Sequence, residues 1–357
     1  MTKGSRKSLL LIGKVMVMTI LVILVAGQVH WRDYQAISAE GAVFRPGLAT
    51  CLQDIRLSFY FGALFLQLVA IICSALRWRL LLLVQQIMLD KASVIRLTFL
   101  GDFFNHFLPG AVGGDAVKAF YVMRHSGRKG PALVSIFANR FAGLCLLAFI
   151  ALLTLSALLA GGWSGVSVKG PVYSIYLICL LIVFILIISL SRKLYLSKRL
   201  KRLTSYLPFS RQLNVVREAL HRYRQMGGLL VPVLIFSTLI VISFIISVRL
   251  IGLSLEIDIP WYHYFLYLPL ITIMTSVPIT PGGVGVLEEL YLYFFSQAGD
   301  PNKILAMALL YRLGLLISSL PGALIFLFGR KISRGQLLDG LEEVEMVMAE
   351  DEEPSAP

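Results

Sequence analysis

The sequence predicts an all-α polytopic membrane protein with about six full spans and two re-entrant broken-helix segments, related as an inverted repeat. Three observations lead to this fold class. The 357 residues are 57% hydrophobic and 15% charged, with a mean hydropathy of +0.80, whereas soluble domains are about 25% charged. Several apolar runs reach the roughly 20 residues that a spanning helix requires. A proline- and glycine-rich motif also occurs twice.

The repeated motif divides the chain into two similar units. Residues 109–113 read Pro-Gly-Ala-Val-Gly, and residues 281–285, 172 positions later, read Pro-Gly-Gly-Val-Gly. Other landmarks in the same register are Arg140 and Arg312, and two apolar spans that begin near Leu57 and Leu229. Several landmarks at one offset predict a duplicated unit. The two units extend over about residues 57–160 and 229–330.

Six apolar runs are predicted as spans: residues 9–26, 57–76, 132–159, 171–190, 229–250 and 304–328. The first follows three basic residues and is expected to remain in the membrane, with a signal anchor as the alternative. Most of the 33 Lys and Arg residues fall in groups that this scheme places in the cytoplasm. We therefore expect a multi-pass protein of the bacterial cytoplasmic (inner) membrane with both termini cytoplasmic. Residues 1–335 form its membrane domain, and the acidic tail 336–357 is expected to be disordered.

Two segments interrupt the apolar pattern and are predicted to be re-entrant. Residues 97–122 have basic groups on both sides, so this segment is expected to enter and leave from the cytoplasm. Residues 262–295 are expected to start and finish outside. Opposite entry sides make the two units inverted, as in many alternating-access transporters. Non-helical backbone at membrane depth needs shielding by protein or a wet cavity. The alternative for the first segment is a cytoplasmic loop between amphipathic helices.

Ionisable side chains inside membrane segments are costly and are therefore candidates for function. Arg140 and Arg312 come first, because a guanidinium stays charged and its fork suits a phosphate or a carboxylate. Each arginine either binds an anionic ligand or pairs internally with a carboxylate. The candidate internal partners are Asp102 and Asp115 in the first unit and Glu288 and Glu289 in the second.

The glycine-rich breaks are predicted to contribute backbone amides to the same substrate site, since a helix N-terminus favours anions. The glycines concerned are Gly110, Gly113, Gly282 and Gly285. Asp115 and Glu288 follow in the first turns of the next helices, where capping of the helix is the alternative role. Lys118 is expected to reach a phosphate or to pair with Asp115. Asn105 and His106 would add polar lining.

Patterns typical of enzymes are missing from the sequence. There is no Gly-x-Ser-x-Gly, His-Glu-x-x-His or Walker A motif, and the four cysteines show no metal-ligand spacing. We therefore expect no catalytic residue, no metal and no cofactor, while coupling to an ion or a proton stays open.

The net charge of +13 is concentrated in cytoplasmic loops and does not indicate nucleic acid. The basic loop 192–224 is expected either to contact anionic lipid headgroups or only to set the topology. A homo-oligomer is compatible with the sequence.

Residues 101–115 (GDFFNHFLPGAVGGD) and 278–288 (PITPGGVGVLE) resemble the two signatures of the lysylphosphatidylglycerol synthase transmembrane family, whose members are flippase-like. The resemblance covers about residues 8–335 and implies movement of a lipid across the bilayer. Resistance-factor members continue into a cytosolic aminoacyl-transferase domain. No such domain follows Arg334 here, so lipid aminoacylation is not expected.

Together, the residues and the resemblance predict a lipid flippase or transporter that moves an anionic or polar lipid. Arg140, Arg312 and Lys118 would hold the headgroup. One alternative is a membrane-embedded transferase acting on a lipid-linked sugar, with Asp102, Asp115 or Glu288 as its base. The other is an accessory subunit of an envelope-lipid pathway.

Overall fold

The computed structural model of the protein describes residues 16–38, 41–107, 113–161, 177, 180, 227–277, 280–296 and 298–328. This part of the chain is mostly helical. Its helices are α1 (Met16–Gly27), α2 (Leu48–Gln53), α3 (Leu57–Val84), α4 (Lys91–Phe107), α5 (Gly113–Ser126), α6 (Lys129–Ala160), α7 (Leu230–Ser254), α8 (Trp261–Thr275), α9 (Val286–Phe295) and α10 (Pro301–Phe328). Strands β1 (Tyr34–Ser38) and β2 (Gly41–Arg45) form an antiparallel hairpin. The predicted helical class of membrane protein is confirmed.

Four of the described helices, α3, α6, α7 and α10, are long and apolar enough to cross a membrane. They correspond to the predicted second, third, fifth and sixth spans. Only the end of the first span is described, as α1. The predicted span 171–190, apart from residues 177 and 180, lies outside the described residues, as do the basic loop 192–224 and the tail 336–357. The total number of spans therefore stays a prediction.

The order of helices in the first unit recurs in the second. Helices α7 to α10 each begin 170 to 173 positions after α3 to α6, respectively. The ends of α3 and α7 also match in detail, because Gln86 and Glu256 both adopt a left-handed conformation, with φ of +59° and +56°. The next amide in each case bonds back into the helix: Ile87 N to Leu82 O at 3.0 Å and Ile257 N to Gly252 O at 2.9 Å.

The two units pack crosswise. Helix α3 lies along α7, α4 packs against α10, and α6 packs against α8. The contact between α4 and α10 is close, because a Cβ added to Gly322 would overlap the Phe99 carbonyl. In each broken-helix pair, α4–α5 and α8–α9, the first helix thus packs against a long helix of the other unit. Of the predicted polar residues, Asp115, Lys118 and Glu288 are buried.

Residues 28–56 fall between the first two predicted spans, and this segment contains the hairpin and α2. It is fastened to the start of α10. The Asn302 carboxamide accepts a hydrogen bond from His30 N at 3.0 Å and donates one to Pro46 O at 2.9 Å. Arg45 and Asp300 form an ion pair at 3.0 Å. A short hairpin in a charged segment carries no strong periodicity, which is why the pattern did not reveal it.

Asp33 makes this segment sensitive to pH. Its carboxylate accepts hydrogen bonds from Gly47 N at 2.6 Å and the Thr50 hydroxyl at 2.7 Å, and these bonds, the Gly47 amide first, lower the pKa of Asp33. A carboxylate with a lowered pKa stabilises the fold above its unfolded pKa of about 4 and loses that contribution as the pH falls through its folded pKa. We expect the protection of residues 28–54 against hydrogen exchange, relative to the intrinsic amide rate at each pH, to fall below about pH 4.

Asp33→Asn is the matched control for this effect. The variant should show lower protection at neutral pH and no further loss of protection on acidification. Wild-type protection in this segment that does not change between about pH 5 and pH 3 would contradict the assigned role of Asp33.

Candidate functional site

The first-unit site is built on Asp115, in the first turn of α5. The Arg140 side chain on α6 donates from Nε to Asp115 Oδ2, and Lys118 Nζ lies 3.6 Å from Asp115 Oδ1. One buried carboxylate therefore has two cationic neighbours. Burial strengthens these interactions, because charges attract more strongly away from water.

Close packing of α4 against α5 holds this site in place. A Cβ added to Gly114 would overlap the Gly101 carbonyl, and one added to Gly101 would meet the Lys118 stem. Asn105 Oδ1 accepts a hydrogen bond from Gly114 N at 2.9 Å. Asn105, predicted as polar lining, therefore satisfies one of the amides that the start of α5 leaves unpaired. Gly110 and the rest of residues 108–112 lie outside the described residues.

The second-unit site has the same plan with one acid and one cation. Arg312 Nε donates to Glu288 Oε1 at 2.6 Å, and Nη2 donates to Oε2 at 3.1 Å. The same guanidinium donates to the carbonyls of Gly282 and Gly283, both at 3.0 Å. Glu288 Oε2 also accepts from Gly285 N at 2.8 Å. Arg312 thus ties the acid of α9 to the backbone of the break.

The glycines in this break are required by its backbone conformation. Gly282, Gly283 and Gly285 have φ of +62°, +66° and +83°, a region that glycine enters without the steric cost that other residues meet. Gly285 also lies against Leu21 of α1, where an added Cβ would come within 2.7 Å. The glycines therefore allow both the turn and the approach of α1.

Each predicted arginine has an internal carboxylate partner in this conformation. Arg140 pairs with Asp115 rather than Asp102, and Arg312 pairs with Glu288. Glu289, the other candidate for Arg312, instead accepts hydrogen bonds from Gln28 of α1. In both units the partner is the acid in the first turn of the short helix after the break.

The two sites differ in composition and in access. Among the described residues, the first has Arg140 and Lys118 beside Asp115, with a second carboxylate, Asp102, near Lys118. In the second, Arg312 and Glu288 form a one-to-one pair. The Arg140 side chain is 41% exposed, against 22% for Arg312 and 10% for Lys118. Arg140 is thus the cation that a ligand reaches most easily.

The residues Asp102 and His106 on α4 lie between the two sites. Asp102 interacts electrostatically with Lys118 and Asp115 of the first site, and His106 does so with Arg312 of the second. Helix α4 packs against both α5 and α10, so it joins the two sites. The described part of the chain has no group of three or more His, Cys, Asp and Glu residues arranged for a metal.

Sequence reasoning missed Arg77 and Trp78. Arg77 directly follows the predicted span 57–76, but α3 continues to Val84 and Arg77 is buried. Trp78 Nε1 donates to the Ser135 hydroxyl at 3.3 Å, and its ring lies 5.6 Å from Lys118 Nζ. The repeat offered a signal, because Arg77 and Arg249 are also 172 positions apart.

Comparison with known proteins gives a family match and two distant relatives. The family model described as "Lysylphosphatidylglycerol synthase TM region" matches residues 43–322. A UPF0104 membrane protein of Pyrococcus horikoshii is 25% identical, covering 78% of this chain and 89% of the relative. A UPF0104 membrane protein of Methanothermobacter thermautotrophicus is also 25% identical, covering 86% of this chain and 96% of the relative.

Proposed function

We propose that this protein, which belongs to the lysylphosphatidylglycerol synthase transmembrane family, is a flippase for lipids with an anionic headgroup. The observation that carries the proposal is the pairing of two cations with the Asp115 carboxylate in the first-unit site. There, Asp115 has two cationic neighbours, and the more exposed one is Arg140. A phosphate oxygen is a strong acceptor for a guanidinium.

The arrangement of Lys118 supports reversible binding at this site. When Arg140 turns from Asp115 to a phosphate, Lys118 remains beside the carboxylate. Asp115 is then not left as a lone buried charge, which would be costly. The start of α5 lies at the same place, and the N-terminal end of a helix favours an anion. In this proposal the phosphate of the headgroup replaces Asp115 as the partner of Arg140.

The inverted repeat supplies the motion in this proposal. The units at about residues 57–160 and 229–330 would lie in opposite orientations in the cytoplasmic membrane, with both termini cytoplasmic. Rocking α4–α5 and α8–α9 against the long helices would expose the site to each side in turn. The crosswise packing of the units supports such coupled movement, because neither broken pair moves without the other unit's long helix.

The proposal is tested by following fluorescent phosphatidylglycerol across sealed proteoliposomes. Wild type should move the lipid, and Arg140→Ala should slow it by about tenfold or more, since hydrogen bonds to charged groups contribute about 1.5–3 kcal/mol. Arg140→Lys should recover part of the rate, because it keeps the charge but loses the fork. Arg56→Ala is the matched control, as Arg56 forms an exposed ion pair with Glu256.

Two results would contradict the proposal. The first is a wild-type protein, correctly inserted, that moves no phosphatidylglycerol. The second is an Arg140→Ala variant as fast as Arg56→Ala. Turnover of a lipid-linked sugar by the detergent-purified protein would instead favour the transferase hypothesis, because detergent removes the two sides of the membrane.

A further inference from the structure

Arg77 is a buried cation at the junction of three membrane helices. Its side chain lies on α3, and the residue is 5% exposed. Nε donates to Asn139 Oδ1 at 2.9 Å and Nη2 to Asn139 O at 3.0 Å, both on α6. Nη1 donates to the Ser237 hydroxyl on α7 at 3.0 Å. The guanidinium also lies beside Gly143, one turn along α6, where an added Cβ would be 3.6 Å from Nη1 and Nη2, an ordinary contact distance.

The charge of Arg77 is not neutralised within the described part of the chain. Its three hydrogen-bond acceptors are an amide oxygen, a carbonyl and a hydroxyl, and no carboxylate there lies within ion-pair distance of it. Neutral acceptors satisfy N–H groups but leave the positive charge in place. A charge kept in the interior of a membrane protein is by default a functional candidate, since stability alone favours an apolar residue there.

Arg77 and its neighbour Trp78 support both cations of the first-unit site. Arg77 holds Asn139, which directly precedes Arg140 on α6. The Trp78 ring makes a cation–π contact with Lys118, and its Nε1 donates a hydrogen bond to Ser135 on α6. Adjacent residues of α3 thus contact Lys118 and the residue that precedes Arg140.

The second unit lacks this support. Arg249, the counterpart of Arg77, donates to Ile259 O at 2.7 Å and stacks on Trp261 at 4.2 Å. The counterpart of Asn139 is Tyr311, and that of Lys118 is Leu290. Among the residues that the structure describes, a buried arginine bonded to the helix that carries the site arginine is therefore found in the first unit and not in the second.

We propose that Arg77 is a positioning residue that sets the charge selectivity of the first-unit site for anionic over zwitterionic phospholipids. It fixes α6 through Asn139 and adds a permanent positive charge behind Arg140. Both effects favour a headgroup with net negative charge, because the low dielectric of the interior extends the reach of the Arg77 charge. This inference rests on the proposed flippase function and names the feature of the lipid that the site selects.

The test compares transport of phosphatidylglycerol and phosphatidylcholine in the same type of vesicle. Wild type should move phosphatidylglycerol faster. Asn139→Asp is the decisive variant, because it keeps the shape of the Arg77 site while giving the guanidinium a carboxylate partner. We expect it to fold normally and to lower the ratio of the two rates by about fivefold or more, as does Arg77→Gln. Arg77→Lys should retain most of the ratio, and Arg249→Gln should leave it unchanged.

The outcomes separate the inference from the function on which it rests. If wild type moves neither lipid, the flippase proposal fails. If wild type prefers phosphatidylglycerol and Asn139→Asp keeps that preference, Arg77 has only a structural role and the inference is overturned. Equal loss of both rates in Arg77→Gln, with the ratio intact in Asn139→Asp, also overturns it. Thermal unfolding of each purified variant excludes misfolding as the cause.

Discussion

Arg312→Ala is expected to lower the free energy of unfolding by about 3–5 kcal/mol, the usual cost of removing one partner of a buried ion pair. The variant leaves the Glu288 carboxylate buried, with Gly285 N as its remaining hydrogen-bond donor among the contacts described above. It also removes the donors to the carbonyls of Gly282 and Gly283. Chemical unfolding in detergent micelles measures the effect. The break before α9 should also become more accessible to proteases.

A double variant distinguishes this explanation from a general loss of packing. Glu288→Gln combined with Arg312→Gln removes both charges and keeps polar groups at both positions. It should lose clearly less stability than Arg312→Ala alone, because no charge is left buried. Arg56→Ala, which breaks an exposed ion pair, should change stability by less than about 1 kcal/mol. Equal destabilisation by Arg312→Ala and the double variant would contradict the explanation.

Gly114→Ala is expected to separate α4 from α5. The added Cβ would overlap the Gly101 carbonyl and come within 2.7 Å of the Asn105 side chain. Both helix backbones must move, since a carbonyl held in a helix cannot rotate away. Overpacking of this kind costs about 1–3 kcal/mol, or more where backbone must shift. Lipid transport should fall with it, because Asp115 and Lys118 lie on the displaced helix.

Gly130→Ala is the matched control for this prediction. Gly130 also lies in a helix, but an added Cβ there meets nothing within 4 Å. This change should be neutral or stabilising by up to about 1 kcal/mol, as alanine favours a helix over glycine. If the two variants unfold at the same denaturant concentration, the close approach of Gly101 and Gly114 does not constrain the packing of α4 against α5.

The broad plan of the fold follows from the sequence, because length, hydropathy and an offset of 172 residues are properties of the chain itself. The helices of the second unit begin within a few residues of the positions that this offset predicts from the first. Arg140 and Arg312 were identified in the same way. The choice of their carboxylate partners was not, since Asp102 and Asp115 both lie within reach in sequence and only the packing of α5 against α6 distinguishes them.

Arg77 shows why the sequence did not reveal the residues that surround the site. The positive-inside rule treats an arginine at the end of an apolar run as a marker of the membrane surface. Here the apolar run continues as a helix for a further two turns, and the arginine finds acceptors on two neighbouring helices. Its partners Asn139 and Ser237 are 62 and 160 residues away in the chain. Local pattern carries no information about contacts at such distances.

Crosswise packing has a consequence for how the protein is made. Helices α3, α4 and α6 also pack against one another and share a small core around Trp78, but each has a large contact surface, with α7, α10 and α8 respectively, that the second unit supplies. When the first unit has entered the bilayer, these surfaces are therefore still uncovered. They must wait for some 170 further residues of synthesis, at about 5–20 residues per second. During that interval they are open to chaperones and quality-control proteases.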